Sequence, residues 1–459
     1  MLLSPILERF AQRTPVSVMV RAALEYALAS DALDEIFRTT AEEGYEKTLL
    51  FSAVVDLLGM VISRVQPSLH AAYQAVSHTL PVSITSLYNK VNGLEIGVSS
   101  ALVTHSATRL GPVIDAMPSG LVPWLPGYRV RIVDGSHLAS TERRIDELWG
   151  CRAGPLPGQS LVVLDPGRML ATHMLPCEDA HAQERSLTPE LLALVEAKDC
   201  FVADRNFCTF RLLYGIATRH AFFAIRQHAK LRIVSSGTLR RRGRIETGEV
   251  FEQKIQLEGE DGTTLEARRI VVRLDKPTRD GDMQLAVITN VPASDASAVA
   301  IAELYRKRWT VETMFFELTQ MLEGELNTMG YPRAALLGFG VALVAYNMLS
   351  TVKSALRAAF GAAKVDEEVS NYYIANEART MAEGLDVATD PEDWVPFQKM
   401  TAQELAEALV ELARNARLAA FKRHKRGPKK PVPKRTEHTD TPHVSTARLL
   451  VRARGKVTP

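Results

Sequence analysis

An apolar run ends abruptly in polar and charged residues within Cys200-Phe-Val-Ala-Asp-Arg-Asn-Phe-Cys-Thr209. A short continuous apolar run of this kind is typical of a buried strand. The triplet Asp204-Arg-Asn206 would then stand at the carboxyl end of that strand. Because a sheet edge is a rigid place to mount a side chain, Asp204 is a candidate functional carboxylate.

The segments around this run predict a mixed sheet. The turn Asp165-Pro-Gly predicts that the two strands beside it pair as an antiparallel hairpin. A helical segment follows the Cys200 run, and parallel strands need such a crossover, so the next strand would run parallel. The predicted strands are 128–133, 160–164, 169–175, 200–203 and 221–226, and the predicted helices are 188–197 and 210–219.

A second carboxylate, Asp134, closes the first predicted strand. We expect the first and fourth strands to lie side by side, which would make Asp134 and Asp204 neighbours. Two carboxylates a few ångströms apart repel each other unless a cation joins them. Hard oxygen ligands suit Mg²⁺ or Mn²⁺. For either aspartate alone, a turn-capping role is the ordinary alternative.

A third carboxylate is predicted on a later helical segment. Tyr305, Arg308 and Glu312 are spaced three and four residues apart, which places them on one face of a helix. Glu317 would point elsewhere, and Trp309 is expected to pack in the core. The adjacent apolar stripe, which would dock the helix on the sheet, contains Leu304, Val311, Phe315, Leu318 and Leu322.

Together these patterns resemble the DDE transposases of bacterial insertion sequences, which have a ribonuclease-H-like core. Within them the chain is similar to insertion sequence family four, marked by Tyr, two residues, Arg, three residues, Glu, six residues and Lys. Tyr305, Arg308 and Glu312 occupy the first three of these positions, and Thr319 stands at the fourth. The resemblance covers roughly residues 125–350.

The resemblance implies two-metal phosphodiester transfer. Asp134, Asp204 and Glu312 would be the catalytic residues and would bind Mg²⁺, with Mn²⁺ as a substitute. The partner would be double-stranded DNA, both transposon ends and target, held by a homodimer in the bacterial cytoplasm in association with the nucleoid. The residues expected to contact DNA are Tyr305, Arg308, Thr319, Arg205, Arg240, Arg241, Arg242, Lys422 and Arg423.

Thr319 departs from the subgroup, which has a lysine at this position. Threonine can hydrogen-bond a phosphate but carries no charge. A catalytically decayed or domesticated DNA-binding protein is therefore an open alternative. A metal-dependent nuclease of the same fold is another, since it would need the same carboxylates without strand transfer. A DNA-binding regulator would need the basic segments but not three converging carboxylates.

The predicted fold class is α/β, a ribonuclease-H-like mixed sheet with flanking helices and a β-rich insertion, plus an N-terminal helical domain and a basic C-terminal segment. The arginine-rich segment 240–244 is expected on a loop of the insertion. The predicted divisions are an N-terminal helical, DNA-end-binding domain at 1–120, the first part of the core at 125–229, the insertion at 230–292, the second part of the core at 293–360, a helical region at 361–421 and a flexible basic tail at 422–459.

Charge is distributed unevenly along the chain, although its net value is only +2. Residues 414–459 contain 14 Lys and Arg against Glu437 and Asp440, which makes that segment +12 and leaves −10 for the rest. A basic segment on an acidic body predicts a polyanionic partner. A solubilising tail is the open alternative.

Composition favours a cytosolic globular protein. Four cysteines without a C-x-x-C pair are typical of reduced thiols, and 46% hydrophobic with 24% charged residues is ordinary for a soluble chain. The uncharged segment 334–352 approaches the length of a membrane span but contains Gly, Asn and Ser. We therefore expect a buried core helix there and no membrane contact.

Overall fold

A computed structural model describes residues 3–42, 49–278, 281–423 and 443–456. Within these ranges the helices are α1 (Pro5–Arg13), α2 (Pro15–Ala27), α3 (Ser30–Thr40), α4 (Phe51–Ile62), α5 (Leu69–Val76), α6 (Ile84–Gly93), α7 (Ile96–Ala116), α8 (Asp146–Trp149), α9 (Thr188–Ala193), α10 (Phe210–Ala217), α11 (Ala298–Arg306), α12 (Thr310–Met321), α13 (Pro332–Phe360), α14 (Ala362–Glu368), α15 (Asn371–Ala388), α16 (Val395–Gln398), α17 (Ala402–Arg414) and α18 (Thr446–Lys456). The strands are β1 (Arg129–His137), β2 (Gly154–Leu156), β3 (Gln159–Asp165), β4 (Leu170–Cys177), β5 (Asp199–Ala203), β6 (Phe222–Arg226), β7 (Ile233–Ser236), β8 (Arg240–Ile245), β9 (Gly248–Glu258), β10 (Thr264–Leu274), β11 (Gln284–Thr289) and β12 (His443–Ser445).

The N-terminal region is helical, as its apolar spacing predicts, and it contains α1 to α7. Helix α6 begins after Ser83, whose side-chain oxygen accepts the backbone N–H of Ser86 at 3.2 Å. This hydrogen bond satisfies one of the N–H groups that an α-helix leaves without a partner at its start. The long helix α7 packs on both α13 and β4, so the N-terminal helices share the core of the sheet.

Five strands form the core sheet in the order β4-β3-β1-β5-β6. Strands β1, β5 and β6 run parallel, whereas β3 is antiparallel to both β1 and β4. This order and these directions are those of a ribonuclease-H-like core. The predicted mixed sheet is therefore confirmed, including the hairpin at Asp165-Pro-Gly and the parallel pair on either side of α10.

Both faces of the core sheet are buried, because side chains alternate along each strand. Ile132 and Val202 point into the larger core, which also contains residues of α7, α12 and α13. Val133, Phe201 and Phe223 point into a smaller core with residues of α9 and α10. The strand ends are thus held between two packed layers of helices.

The predicted insertion extends the same sheet. Strand β11 pairs antiparallel with β6, and β10, β9 and β7 follow in order, with β8 also on β9. The turn between β9 and β10 contains Gly262 at φ 81°, a conformation that glycine adopts without steric cost. The expected loop at 240–244 is wrong: this segment lies in β8, because main-chain pairing with β9 holds it as a strand.

The helical segment after the insertion is interrupted at one turn. A 3₁₀ turn, Lys307–Trp309, separates α11 from α12. The long helix α13 is, within the described ranges, the one helix long and apolar enough to cross a membrane. Of its 18-residue apolar window 94% is buried inside the protein, as expected of a core helix.

Part of the segment expected to be a flexible tail has regular structure. Strand β12 runs parallel to β2, and α18 follows it. Arg448 of α18 lies 2.8 Å from Asp179. Residues 424–442, which carry much of the basic run, lie outside the described residues.

Candidate active site

Asp134 and Asp204 lie next to each other at the carboxyl end of two parallel strands. Val133 of β1 is in register with Ala203 of β5, and each aspartate is the next residue along its chain. Alternation of side chains turns both aspartates to the same face of the sheet. The structure therefore places these two carboxylates as neighbours, as the predicted strand order requires.

Glu312 is joined to this pair through Arg308. The Nη1 atom of Arg308 lies 2.9 Å from Asp134 Oδ2, and its Nη2 atom lies 2.8 Å from Glu312 Oε1. The Arg308 side chain is 10% exposed, and its Nε is buried without a hydrogen-bond partner among the described residues. One guanidinium group thus ties a carboxylate on the sheet to a carboxylate on α12.

The three predicted carboxylates act on one another electrostatically. Burial raises the pKa of Asp134 to about 6, and Arg308 opposes this shift. The negative charges of Asp204 and Glu312 raise the pKa of Asp134 further. A carboxylate perturbed by burial and by named charged neighbours is a recognised mark of a functional site.

Tyr305 lies beside Arg308 and is buried. Burial raises the pKa of Tyr305 to about 12, while the charges of Arg308 and Arg226 lower it and that of Asp204 raises it. Its hydroxyl is therefore protonated at neutral pH and is able to donate one hydrogen bond. The predicted face of Tyr305, Arg308 and Glu312 is thus present across the 3₁₀ turn.

Carboxylate oxygens are the right donors for a hard divalent cation, but their arrangement here does not form a metal site. Among the described residues, no group of three or more His, Cys, Asp or Glu side chains is placed to hold a metal ion. Arg308, rather than a metal, joins Asp134 to Glu312. A metal ion does not fit between these two carboxylates while the guanidinium is there.

A fourth carboxylate, Glu184, was missed in the sequence. It lies in the 3₁₀ turn before α9, and its Oε2 is 3.5 Å from Asn206 Nδ2. A Cβ atom on Gly135 would come within 2.0 Å of Glu184 Oε1, so this carboxylate packs on the backbone next to Asp134. Burial and the charge of Asp204 raise the pKa of Glu184. The sequence contained one sign of this contact, Gly135, because a glycine within a strand often marks a place where another group comes close to the backbone.

Two predicted DNA contacts lie at the edge of the site. Arg205 directly follows Asp204 and is exposed. Thr319 is exposed on α12, seven residues after Glu312, and its hydroxyl donates to the backbone carbonyl of Phe316 at 3.0 Å. The Thr319 hydroxyl is therefore turned to its own helix in this conformation.

The arginines of β8 lie on the inserted part of the sheet and are exposed. Arg241 pairs with Glu249 at 3.0 Å, and Arg242 pairs with Glu252 at 2.7 Å. Arg240 is the first residue of the strand. As DNA contacts, these three residues remain predictions.

The last two predicted contacts lie where the helical region ends. Lys422 forms an isolated antiparallel bridge with Val369, and Arg423 Nη2 donates to the carbonyl of Val369 at 3.3 Å. The Arg423 backbone N–H donates to the carbonyl of Glu368 at 2.6 Å. Both side chains are exposed.

The expectation that Trp309 packs in the core is wrong, because its side chain is 63% exposed. Arg308 is the residue that faces the site, and the next residue on a helical turn points well away from it. The Arg308 Cζ atom lies 5.6 Å from the centre of the Trp309 ring. Glu317 points elsewhere, as expected, and accepts a hydrogen bond from Asn371 at 2.8 Å.

Comparisons with known proteins point to one class. Residues 125–348 match the family model described as Transposase DDE domain, and this range contains all three predicted carboxylates. The chain is 25% identical over 210 residues to Putative transposase y4zB of Sinorhizobium fredii (strain NBRC 101917 / NGR234). That region is 44% of this chain and 55% of the relative, so the chain spans about half the length of the relative.

A solved structure also aligns with the chain. It is the cryo-EM structure of piggyBac transposase in a synaptic complex with hairpin DNA, and the alignment covers 90% of this chain and 85% of that one. The TM-score of this alignment is 0.36, and the sequence identity is 9%. The family match and the curated relative support a DDE transposase.

Proposed function

We propose that this protein is a DNA transposase that cuts the ends of its element and joins them to target DNA by phosphodiester hydrolysis and transesterification. The observation that carries the proposal is the meeting of Asp134, Asp204 and Glu312 across two strand ends and one helix. The match of residues 125–348 to the Transposase DDE domain supports it.

Asp134, Asp204 and Glu312 are the proposed catalytic residues and metal ligands. DDE transposase domains generally use divalent metal ions, and carboxylate oxygens suit Mg²⁺, with Mn²⁺ as a substitute. Metal binding by this set requires that Arg308 leave the position between Asp134 and Glu312. Two-metal chemistry, as in insertion sequence family four, is the proposed reaction class.

Tyr305 and Arg308 are the proposed contacts to the scissile DNA backbone. A guanidinium group binds a phosphate through two parallel hydrogen bonds, and the protonated Tyr305 hydroxyl adds a donor. Further phosphate contacts are proposed from Thr319, Arg205, Arg240, Arg241, Arg242, Lys422 and Arg423. These contacts would position the duplex without reading its sequence.

The proposed assembly is a homodimer on DNA, because two ends must be brought together before they are joined. Helices α1 to α7 are the proposed end-binding region. The proposed location is the bacterial cytoplasm, in association with the nucleoid and without membrane contact.

The test is a cleavage assay on a DNA fragment that carries the flanking ends of the protein's own gene. Wild type would be compared with Asp134→Asn, each with Mg²⁺ and with EDTA. We expect cuts at the ends that need Mg²⁺ and that fall by about 10³-fold or more in the variant, which corresponds to about 4 kcal/mol of transition-state stabilisation.

The outcomes separate the alternatives. Binding of the ends without cleavage in Mg²⁺ and in Mn²⁺ would indicate a decayed or domesticated protein, and Thr319→Lys would then be the first change to test. Cleavage without joined products, measured by capture of target DNA, would indicate a nuclease of the same fold. Cleavage by Asp134→Asn equal to wild type would rule out the proposed site.

A further inference from the structure

We infer that Arg64, a residue of the N-terminal helical region, is a positioning residue for the proposed reaction. Its side chain closes the C-terminal end of α12, and α12 bears Glu312 in its first turn. Arg64 thereby holds Glu312 at the site from a distant part of the chain. The inference rests on the proposed function and adds a residue that the reaction depends on.

The C-terminal end of α12 has no basic residue of its own. Its last four residues, 318–321, are Leu, Thr, Gln and Met, so none of them offsets the partial negative charge of the helix end. Leu322 is extended, at φ −116° and ψ 162°, and the chain leaves the helix there. The carbonyl of Leu318 accepts the N–H of Gly324 at 3.3 Å. The carbonyls that follow depend on donors from another element.

Arg64 supplies these donors. Its Nη2 atom donates to the main-chain carbonyls of Thr319 at 3.1 Å and Leu322 at 3.2 Å, and its Nη1 atom donates to that of Gln320 at 3.4 Å. Its Nε atom lies 3.0 Å from the Glu323 carboxylate, so the same group offsets a negative charge at this helix end. Arg64 thus caps a helix that lies 255 residues away in the sequence.

The main chain at Arg64 has a conformation that favours glycine. Helix α4 ends at Ile62, and Arg64 follows with φ 61°. The Arg64 N–H donates to the carbonyl of Val61, and the Val65 N–H donates to that of Met60, each at 2.9 Å, which is the usual pattern where a left-handed residue closes a helix. Glycine adopts this conformation without steric cost, whereas arginine does not. The contacts of the arginine side chain with α12 offset that cost.

The far end of α12 matters for the site because the helix is short. It follows the 3₁₀ turn Lys307–Trp309, so its direction depends on what holds it further along. Asn371 of α15 holds Glu317 at 2.8 Å, and Arg64 holds the end. A helix that tilts at its end also moves Glu312, and a displacement of about 1 Å near a reacting centre slows a reaction by up to about 100-fold.

The test compares wild type with Arg64→Gly and Arg64→Lys in the full chain. Glycine removes the guanidinium group but fits the left-handed backbone, so backbone strain cannot cause a loss in this variant. Lysine keeps the charge but not the planar fork that reaches several carbonyls. The matched control is Lys198→Gly, because Lys198 also has a positive φ, 67°, and is exposed at the start of β5.

The first measurement is amide hydrogen exchange of residues 314–324, in EDTA and without DNA. Exchange in Arg64→Gly should be about tenfold or more faster than in wild type, because the last turns of α12 open more often without their cap. Arg64→Lys should lie between the two, and Lys198→Gly should equal wild type. Thermal unfolding checks that each variant is folded.

The second measurement separates reaction rate from DNA binding. With Mg²⁺ and a saturating amount of the end fragment, single-turnover cleavage by Arg64→Gly should be about tenfold slower than by wild type. Its Kd for the fragment in EDTA should stay within about twofold of wild type, and Arg64→Lys should recover part of the rate. A weaker Kd with an unchanged rate would mean that Arg64 contacts DNA instead, and would overturn the inference.

Equal exchange of residues 314–324 in wild type and Arg64→Gly would also overturn it, as would faster exchange with an unchanged cleavage rate. If Arg64→Gly is not folded, Arg64→Lys decides by the same two measurements. Failure of the proposed function looks different, because wild type itself would then not cut the end fragment. Hydrogen exchange would in that case decide alone whether Arg64 holds α12.

Discussion

Arg268 in the inserted part of the sheet and Arg308 beside the core sheet are both buried, and they have different kinds of partner. In the inserted half, Arg268 donates to Glu252 at 2.6 Å and to the main-chain carbonyls of Val291 and Ala296 at 2.7 and 3.0 Å. In the catalytic half, Arg308 is held by two carboxylates from different elements.

The partners of these two arginines imply different roles. Arg268 has a structural role, whereas the carboxylates that hold Arg308 can exchange it for another cation. Main-chain carbonyls neither titrate nor bind a divalent cation strongly, so Arg268 locks β10 to the segment after β11. Carboxylates can exchange an arginine for a proton or a metal ion. Both charged partners of Arg308 are carboxylates that can exchange it, whereas two of the three partners of Arg268 are main-chain carbonyls that cannot.

The largest expected effect is on stability in the inserted half. Arg268→Ala should lower the free energy of unfolding by about 3–5 kcal/mol, because it removes three hydrogen bonds of a buried charged group and leaves the carbonyls of Val291 and Ala296 without this partner. Urea unfolding followed by circular dichroism measures this change. The control is Arg241→Ala, an exposed pair with Glu249, which should cost less than about 1 kcal/mol. Similar losses for the two variants would remove the structural role assigned to Arg268.

The next effect is a pH dependence in the catalytic half. The pKa of Asp134 is about 6 in the folded protein and 3.8 in the unfolded chain. Between these two pH values the Asp134 carboxyl group is therefore protonated in the folded state and ionised in the unfolded state. Stability should therefore fall as pH rises from about 4 to 6, by about 3 kcal/mol at most.

The measurement is urea unfolding in EDTA at pH 4, 5, 6 and 7 for wild type and Asp134→Asn. The asparagine does not titrate, so the difference between the two proteins should shrink towards pH 4. Parallel pH profiles would show that Asp134 titrates in the folded protein as it does in the unfolded chain.

A smaller effect tests how closely the fourth carboxylate is packed. Gly135→Ala should displace the flexible end of Glu184 without unfolding the chain and should slow DNA-end cleavage about 10- to 100-fold, as misplacement near a reacting centre does. Glu184→Gln should slow it similarly, and the double variant should be no slower than either single one.

The control for this pair is Gly150→Ala, since a Cβ at Gly150 meets no atom within 4 Å. Its cleavage rate should equal that of wild type. Additive losses in the double variant of Gly135 and Glu184 would mean that the glycine acts through something other than this contact.

The smallest effect is at the surface of the catalytic half. Trp309→Ala should change the free energy of unfolding by about 0.5 kcal/mol or less, because the ring is 63% exposed. The buried Trp394, 3% exposed, is the matched control and should cost about 3–5 kcal/mol when changed to alanine. A large loss of unfolding free energy in Trp309→Ala would mean that this side chain packs in the core, as the sequence pattern predicted.

Local patterns predicted much of the catalytic half. Apolar runs that end in Asp134 and Asp204, together with the Asp165-Pro-Gly turn, predicted three features of the core sheet: the first and fourth strands as neighbours, the antiparallel hairpin, and the parallel pair around α10. Spacing on one helix predicted that Tyr305, Arg308 and Glu312 share a face. These features depend on neighbours along the chain and on the geometry of helices and strands, which a sequence contains directly.

Other features required the folded chain. The pairing of β11 with β6, which makes the insertion part of the core sheet, joins edges that no local periodicity specifies. The approach of Glu184 to Gly135 and the exposure of Trp309 depend on how separate elements pack.

The sequence by itself determined which carboxylates reach the strand ends and which arginine shares a helix face with Glu312. Only the tertiary structure decided that this arginine bridges Asp134 and Glu312. The reason is physical. Periodicity along the chain sets the direction of a side chain. Its charged partner on another element depends on the distance between the two groups, because electrostatic attraction falls with distance.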